Sequence, residues 1–357
     1  MRKWKLGWGY TSSCNMHCGH CYSKKVRCET SIQKDNKLKF AKMFIRSNKQ
    51  YIESINYGTG ENVLDKTWWK LFEFCATETG ILQGLTTNGS LAKFVQHVEL
   101  IKKLNDVDVS IDFGESKLHD NFRGFKGAWK LAVDTLDLCN SNNISRTIVT
   151  VAMNINFNEN NMELILKLAS EYNSNIRINI LRPTYPGLKK YVVEPLQFYK
   201  VMKWLLQNTY VVSISDVLFS SILRENKYKG DFVGKSSMRI LENGEITPST
   251  YLIDATWRTS NIFTDNISLR AFKFEILEKN PVPVRCTKCS LASQCMGGTI
   301  DRRILWGRTL LERDPYCPSL NNIALNYFDD INIVYDVSKN NTFVHEDYLP
   351  TIILKPR

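Results

Sequence analysis

The chain has 357 residues, of which 43% are hydrophobic and 23% are charged, as in ordinary globular proteins, and its length predicts two domains. No apolar run approaches the ~20 residues that span a bilayer, and the N-terminus lacks the apolar stretch of a signal peptide. We therefore predict a cytoplasmic protein rather than a membrane or exported one.

The chain carries 47 Lys and Arg residues against 36 Asp and Glu residues, a net charge of +11. The basic residues are scattered in short groups such as Lys24-Lys25 and Lys102-Lys103, with no pattern typical of a nucleic-acid-binding fold. We therefore do not expect nucleic-acid binding. A solvated lysine surface accounts for the charge, and attraction to an acidic peptide is the alternative.

Through the first half of the chain, β-prone segments alternate with segments whose apolar residues recur at helical spacing. The predicted strands are residues 5–10, 51–57, 84–87, 107–112, 147–154 and 176–181. The predicted helices between them include residues 64–76, 91–104, 128–139 and 161–171. Six β/α units in succession predict an α/β fold with a parallel sheet, curled into a partial (β/α)6 TIM barrel whose ligands bind at the C-terminal strand ends.

The second half of the chain predicts a smaller, cysteine-rich domain. The expected divisions are a barrel in 1–185, bridging helices in 186–235, the small domain in 236–325 and a C-terminal tail in 326–357. The small domain begins with a strand, a turn at residues 242–245 and another strand. The tail contains β-prone residues 331–337 and 351–354, for which the sequence indicates no role.

Seven of the ten cysteines fall in two groups, and without an export signal such groups favour metal ligands over disulfides. The first group comprises Cys14, Cys18 and Cys21, at the spacing CxxxCxxC. Three thiolates leave one coordination position open, which suits a four-iron cluster with one exposed iron. A zinc site completed by His17 or His20 is the alternative.

Motifs also close the next three predicted strands: residues 58–61 read GTGE, residues 87–89 read TNG, and residues 110–112 read SID, followed by HD at 119–120 and RG at 123–124. Together with CxxxCxxC and Tyr22, this ordered set resembles the radical S-adenosylmethionine (radical SAM) superfamily. The SxD…HDxxRG run resembles its peptide-modifying branches. A zinc site would leave these motifs unexplained.

The resemblance implies that SAM chelates the open iron through its amino and carboxylate groups. The residues then expected to contact or shape the cofactor site are Tyr22, Gly58, Thr59, Gly60, Glu61, Thr87, Asn88, Ser110, Lys130 and Leu181. Ser110 and Lys130 are assigned to the SAM carboxylate, and Glu61 to holding the local turn. Thr59 stands where many members have glycine, which we expect to be tolerated because Gly60 and Glu61 remain.

The second cysteine group comprises Cys286, Cys289, Cys295 and Cys317. Its spacing resembles the SPASM domain, which in full holds seven cysteines and two auxiliary clusters. Thr299, Ser237 and either Ser249 or Thr250 stand where the other three cysteines would be. The resemblance therefore implies a truncated, twitch-like domain with one auxiliary 4Fe-4S cluster; a structural zinc on the same four thiolates is the alternative.

Two further residues are tentative catalytic candidates. Cys28 could act as a hydrogen-atom donor or redox thiol, although a buried, unreactive cysteine is the alternative. Asp112 could hydrogen-bond SAM or substrate, or merely fix the turn after its strand. Cys75 and Cys139 lie at helical core spacing and are predicted to pack.

The resemblance implies an enzyme that cleaves SAM reductively to a 5'-deoxyadenosyl radical, with electrons from a partner such as flavodoxin or ferredoxin. A ribosomally made peptide is the leading substrate, with a cross-link, an epimerised residue or an oxidised side chain as product. The alternative is dehydrogenation or epimerisation of a sugar or aminocyclitol, and a non-catalytic zinc protein is a third class. Thirteen residues precede Cys14, so we expect leader binding by the barrel, the tail or a separate protein.

Overall fold

The computed structural model describes residues 3–24, 34–225, 227–278, 281–337 and 343–357. Its strands are β1 Trp4–Trp8, β2 Ile52–Tyr57, β3 Leu82–Thr87, β4 Asp106–Ser110, β5 Arg146–Ala152, β6 Asn175–Ile180, β7 Thr209–Ile214, β8 Ser237–Ile240, β9 Ile246–Thr247 and β10 Ile352–Pro356. Its α-helices are α1 Lys34–Asn48, α2 Lys66–Glu78, α3 Val98–Ile101, α4 Ser116–Arg123, α5 Ala128–Ser141, α6 Glu159–Glu171, α7 Pro195–Asn208, α8 Val217–Ile222, α9 Glu275–Glu278, α10 Ala292–Cys295 and α11 Ile300–Leu305. The predicted helix at 91–104 is instead a 3-10 helix, Ser90–His97, followed by the short α3.

All ten strands form one sheet in the order β7-β10-β6-β5-β4-β3-β2-β1-β8-β9. Strands β1 to β6 pair in chain order and in parallel, as the repeated β/α pattern predicts. The two edge strands, β7 and β9, do not pair with each other, so the sheet is open. The α/β class and the partial barrel are therefore confirmed.

Alternation along the strands separates a helix-facing side from a barrel interior. In β6, Ile176, Ile178 and Ile180 join the apolar core, whereas Arg177 and Asn179 line a cavity inside the barrel. The helices cover the outer face and fill the core with residues such as those of α2 and α5. Among the described residues, no helix combines the length and apolar character needed to cross a membrane.

Two of the cysteines outside the motifs lie in this core. Cys75 on α2 and Cys139 on α5 are fully buried, and burial raises the pKa of each thiol to about 12. Both therefore remain protonated and pack as small apolar side chains.

The sequence interpretation missed a strand between the bridging helices. Residues 209–214 form β7 rather than loop or helix, because α7 ends at Asn208 and β7 pairs with a strand from the far C-terminus. That strand, β10, lies antiparallel between β6 and β7 and contains the β-prone residues 352–354. The other β-prone tail segment, 331–337, makes only an isolated bridge between Val211 and Tyr335.

Before β10, the tail passes through the barrel interior; we call residues 343–349 the tail plug. A Cβ atom on Gly7 of β1 would lie 1.5 Å from the Tyr348 Oη atom, and one on Gly84 of β3 would lie 2.9 Å from the Val344 Cβ atom. The plug thus occupies space that side chains of β1 and β3 would otherwise fill.

His345 anchors the tail plug to β4. Its Nδ1 lies 3.2 Å from Asp106 Oδ2 and its Nε2 lies 2.6 Å from Asp108 Oδ2, with all three side chains about 1% exposed. The imidazole thus bridges two carboxyl groups of β4. Arg177 also reaches Asp108, at 2.6 Å, so these groups form an internal ion-pair network.

Candidate active site

The C-terminal ends of the barrel strands line one cavity of about 1080 Å³, part of which is open to solvent. The predicted site residues that line it are Cys14, Cys18, Cys21, Tyr22, Gly58, Thr59, Gly60, Thr87, Asn88, Ser110 and Leu181. The loop after β1 and the ends of β2, β3, β4 and β6 supply them. Residues more than 160 positions apart in sequence therefore share one surface.

The three cysteines of the first group lie on the loop after β1, each partly exposed. Two side chains donate hydrogen bonds to sulfur: Asn88 Nδ2 to Cys14 Sγ and Arg123 Nη1 to Cys18 Sγ, each at 3.6 Å. Backbone bonds from His17 and Gly19 to the end of α4 hold the loop. Donors directed at sulfur suit anionic thiolate ligands, so the residues fit an iron-sulfur cluster.

Glu61 holds the end of β2 against the end of β3. Its two carboxylate oxygens accept from Thr87 Oγ1 and from the Asn88 backbone N–H, each at 2.7 Å. Burial raises the pKa of Glu61 to about 7, against the opposing effect of these two hydrogen bonds. Glu61 does not line the cavity but fixes the turn of Asn88, which does.

Gly60 needs to be glycine where it stands. Its φ is +60°, and a Cβ atom there would lie 2.5 Å from the Ser13 carbonyl oxygen. The close approach lets the Glu61 N–H donate to that same oxygen at 2.7 Å. The GTGE turn is thereby locked onto the cysteine loop.

Thr59 has a φ of +92°, in the region that favours glycine. Its Oγ1 lies 2.9 Å from the Tyr22 hydroxyl, which follows the last cysteine of the loop. The threonine therefore carries backbone strain at the position where the superfamily resemblance implies glycine, and adds a bond to Tyr22.

Asp112 lies fully buried behind the cysteine loop rather than on the cavity surface. Arg123 Nη2 contacts its Oδ2 at 2.7 Å, and His20 Nε2 lies 3.5 Å away. Burial opposes the charged form, but Arg123, His20 and His119 together hold the pKa of Asp112 below its usual value. Asp112 also accepts a hydrogen bond from the Val151 N–H of β5. Through these contacts it holds Arg123 and His20 in place.

Arg123 is a site residue that the sequence interpretation assigned no role. It joins Cys18 to Asp112 and is itself buried. The RG at 123–124 was the available signal, because Gly124, at φ +59°, ends α4 and leaves the arginine facing the loop. His20, stacked on Phe122, stays neutral because burial lowers its pKa to about 4.

Two candidates are not brought to the cavity. Lys130 lies on the outer side of α5, with its side chain 78% exposed, and pairs with Asp134 at 2.7 Å. Ala128 and Ala132 on the same helix face the core, so the intervening Lys130 points away from it. Cys28 lies outside the described residues.

The cavity also contains residues that no motif indicated. Described residues lining it include four arginines, Arg123, Arg177, Arg182 and Arg239, and no aspartate or glutamate. Arg239 comes from β8 of the small domain. Tyr251 follows β9, and Tyr348 belongs to the tail plug, so all three parts of the chain contribute to one site.

The second cysteine group surrounds its own cavity. Cys286, Cys289, Cys295 and Cys317 all line an enclosed space of about 360 Å³, together with Leu218, Leu291, Leu325 and Arg313 among others. Burial raises the pKa of the Cys295 thiol. Gly298 has a φ of +87° and lets the chain turn beside Asp314. A Cβ atom on Gly298 would lie 2.4 Å from the Asp314 Cβ atom.

The polar residues that stand in place of the other SPASM cysteines make hydrogen bonds within the protein. Thr299 Oγ1 donates to Asp314 at 3.0 Å, and Ser249 Oγ donates to Asp301 at 2.9 Å. Thr250 bonds the Tyr348 hydroxyl. These contacts form a buried polar network at the place where a second auxiliary cluster would need thiolates.

The family model described as the radical SAM superfamily matches residues 8–169, which contain the cysteine loop and the strand-end motifs. Residues 8–169 therefore form a radical SAM domain. Such a domain implies SAM and a 4Fe-4S cluster as cofactors. The expected resemblance is thereby confirmed.

Relatives of this radical SAM enzyme extend over most of its length. Mycofactocin maturase MftC of Mycolicibacterium smegmatis is 24% identical over 332 residues, which cover 87% of this chain and 82% of the relative. An AdoMet-dependent heme synthase of Methanosarcina barkeri is 26% identical over 215 residues, 57% of each chain.

Solved structures share the fold. Streptococcus suis SuiB bound to the precursor peptide SuiA superposes with a TM-score of 0.69 at 16% identity, covering 88% of this chain and 76% of that one. The structure of anSMEcpe with bound AdoMet gives a TM-score of 0.67 at 18% identity, covering 90% and 92%.

Proposed function

We propose that this radical SAM enzyme modifies a ribosomally made peptide, forming a cross-link, an epimerised residue or an oxidised side chain. The observation that carries the proposal is the convergence of three cysteines and three strand-end motifs on one cavity. Support for a peptide comes from similarity to a maturase along 87% of the chain and from the peptide-bound state of the SuiB neighbour.

Within that cavity, Cys14, Cys18 and Cys21 would hold the SAM-binding cluster, which supplies a carbon-centred 5'-deoxyadenosyl radical when reduced by a partner such as flavodoxin or ferredoxin. Arg123 donates to Cys18 and so stabilises its thiolate. The open backbone at Gly58 and Gly60 lets a ligand approach the end of β2 closely.

The remaining cofactor contacts are assigned by position. Ser110 at the end of β4 would bind the SAM carboxylate, while Tyr22, Asn88 and Leu181 would contact the adenosine. Each of these four residues lines the cavity. Thr87 acts through Glu61, to which it donates at 2.7 Å.

For the second cysteine group we propose a 4Fe-4S cluster rather than zinc. A zinc ion at Zn–S of about 2.3 Å gathers sulfur atoms to roughly 3.8 Å from one another. Among the described residues, the only Cys, His, Asp or Glu group with ligand atoms within 4.8 Å of one another is Asp106, Asp108 and His345. No three of these four described thiols come that close to one another, which favours a larger inorganic core over a single ion. With four protein ligands, this cluster would serve electron transfer or structure.

Anaerobic reconstitution tests the proposal. The wild-type chain is expected to hold about eight irons, and replacing Cys14, Cys18 and Cys21 by Ala is expected to leave about four and to abolish 5'-deoxyadenosine formation. Replacing the second cysteine group should also leave about four irons but retain SAM cleavage. Zinc without iron, or SAM cleavage by the first variant, would refute the assignment.

The substrate class needs a separate measurement. Where a short peptide is encoded beside this gene, that peptide, incubated with the reduced enzyme and SAM, is expected to change mass by the loss of hydrogen or, for epimerisation in D2O, by the gain of one deuterium. An unchanged peptide together with turnover of a sugar or aminocyclitol would contradict the peptide proposal while leaving the SAM chemistry intact.

A further inference from the structure

Three arginines that line the cavity retain donors that no group in the described part of the chain uses. Arg177, Arg182 and Arg239, which we call the arginine cluster, are each 1–2% exposed. Buried N–H groups without an acceptor are Nε and Nη1 of Arg177, Nη2 of Arg182 and Nε of Arg239. Unsatisfied donors on buried charged groups cost free energy, so this set is built to meet an acceptor.

Arg239 differs from the other two in its charge balance. Arg177 pairs with Asp108 at 2.6 Å and Arg182 pairs with Asp301 at 3.2 Å. Within the described part of the chain, no carboxylate pairs with Arg239, whose partners are the Gly58 carbonyl oxygen and the Tyr348 hydroxyl. A buried guanidinium without a counter-ion is strongly unfavourable until an anion arrives.

The neighbouring phenol of Tyr251 does not supply that anion. Tyr251 lies close enough to interact electrostatically with all three arginines. Burial raises the pKa of Tyr251 to about 12, so its phenol stays neutral near pH 7. The cluster therefore presents a net positive charge around Tyr251 inside the cavity.

Strand register places the backbone of Arg239 and the Arg177 guanidinium below the level of the SAM motifs, and the Arg239 guanidinium reaches up to the Gly58 carbonyl oxygen at the start of the GTGE turn. Arg239 pairs with Gly7 of β1, which pairs with Asn56 of β2, two residues before Gly58. Arg177 reaches Asp108, two residues before Ser110 on β4. The Tyr348 hydroxyl, 3.4 Å from Arg239 Nη1, closes the deep end.

We propose that the arginine cluster binds a carboxylate of the substrate, with Arg239 as the residue that pairs with it. Planar guanidinium groups match a carboxylate in two-point hydrogen bonding, and three of them converge here. The carboxylate belongs either to an acidic side chain or to the C-terminus of the substrate. This inference rests on the proposed function, because it names a chemical group of the same enzyme's substrate.

Small carboxylates test the site without the natural substrate. The probes are N-acetylalanine, with a terminal carboxylate, N-acetylglutamate α-amide, with a side-chain carboxylate, and the uncharged N-acetylglutamine α-amide. Each is titrated into the anaerobically reconstituted holoenzyme, with and without SAM, and its apparent Kd is taken from the rise in melting temperature followed by circular dichroism. At least one carboxylate is expected to bind, at least about tenfold more tightly than the uncharged amide.

Arg239→Gln is expected to weaken binding of the carboxylate probe at least about tenfold. Arg239→Lys is expected to retain part of that affinity. Both variants should bind SAM with an affinity within about threefold of wild type. The matched control is Arg46→Gln, which removes an exposed pair with Glu78 and should leave every affinity unchanged. Because Arg239 lacks a counter-ion, the ligand-free Gln variant should melt no lower than the wild type.

The inference is overturned if the uncharged amide binds as tightly as the carboxylates, or if Arg239→Gln leaves their affinity unchanged. It is also overturned if the substitution weakens SAM binding tenfold and leaves probe binding unchanged, since Arg239 would then bind the SAM carboxylate. Failure of the proposed function looks different: the reduced holoenzyme would leave the peptide unchanged, while the probe titrations still report on the arginines.

Discussion

At the scale of single residues, Thr59 combines strain with a contact. Its φ of +92° is unfavourable for a β-branched residue by about 1–3 kcal/mol, while its hydroxyl bonds the phenol of Tyr22 beside the cysteine loop. Tyr22 packs edge-to-face on Tyr251 at 5.2 Å, so the contact links the cysteine loop to the small domain. This contact is a local compensation for the strain, and the tolerance of threonine here stays a prediction.

Alanine variants are usually more stable than glycine variants at the same position, and substitution at Thr59 should reverse this order of stability. Thr59→Ala loses the hydroxyl and keeps the strain, whereas Thr59→Gly loses the hydroxyl and relieves the strain. We expect the glycine variant to be more stable than the alanine variant by about 1 kcal/mol in urea unfolding. At exposed Thr77 in α2, the control pair should show glycine less stable by a similar amount. The same order at both positions would contradict the strain at Thr59.

At the scale of elements, local patterns predicted β1 to β6 well because each strand and its helix are adjacent in sequence. The predicted segments 107–112 and 147–154 differ from β4 and β5 by two residues or fewer at each end. Strand β10 pairs instead with β6, more than 170 residues away, and no local pattern specifies such a partner. Its β-prone residues were visible, but their place in the sheet was not.

The candidate site divides in the same way. Residues inside short motifs, such as Cys14 and Asn88, were predictable because the motif fixes both residue type and place at a strand end. Lys130 belonged to no such motif, and helix α5 turns it outward. Arg239 and Tyr348 reach the cavity only through long-range packing of the small domain and the tail plug, for which the sequence offers no periodic signal.

The tail plug should depend on His345. Removing this side chain leaves Asp106 and Asp108 buried beside each other without the group that lies between them. We expect His345→Ala to lower the free energy of unfolding by about 3–5 kcal/mol in urea titration. Lys167→Ala, which breaks only an exposed pair with Glu163, should change it by less than about 0.5 kcal/mol. Similar losses in the two variants would show that the plug is held by other contacts.

At the scale of the whole molecule, buried ion pairs run from the active-site cavity to the second cysteine group. Arg182 after β6 pairs with Asp301 on α11, and the next residue, Arg302, pairs with Asp216 at 2.6 Å and Asp314 at 2.7 Å. Asp314 in turn accepts from the Thr299 and Tyr316 N–H groups, beside Cys317.

The two metal sites should contribute very differently to stability. The first cysteine group spans eight residues of a single loop, so a cluster there constrains little chain. The second spans residues 286–317, where α10 and α11 have four and six residues, and its ligands cross-link segments with little regular structure. Because ligand binding to the folded state adds directly to folding free energy, loss of the second cluster should destabilise the chain more.

We therefore expect Ala substitution of Cys286, Cys289, Cys295 and Cys317 to lower the melting temperature of the reconstituted protein by at least about 5 °C. Substitution of Cys14, Cys18 and Cys21 should lower it by roughly 2 °C or less, since the barrel core remains intact. Anaerobic circular dichroism gives both values, and iron analysis of the same samples verifies which cluster is missing. Equal losses would mean that the second group stabilises no more of the fold than the loop after β1 does, and would favour a purely electron-transferring role for its cluster.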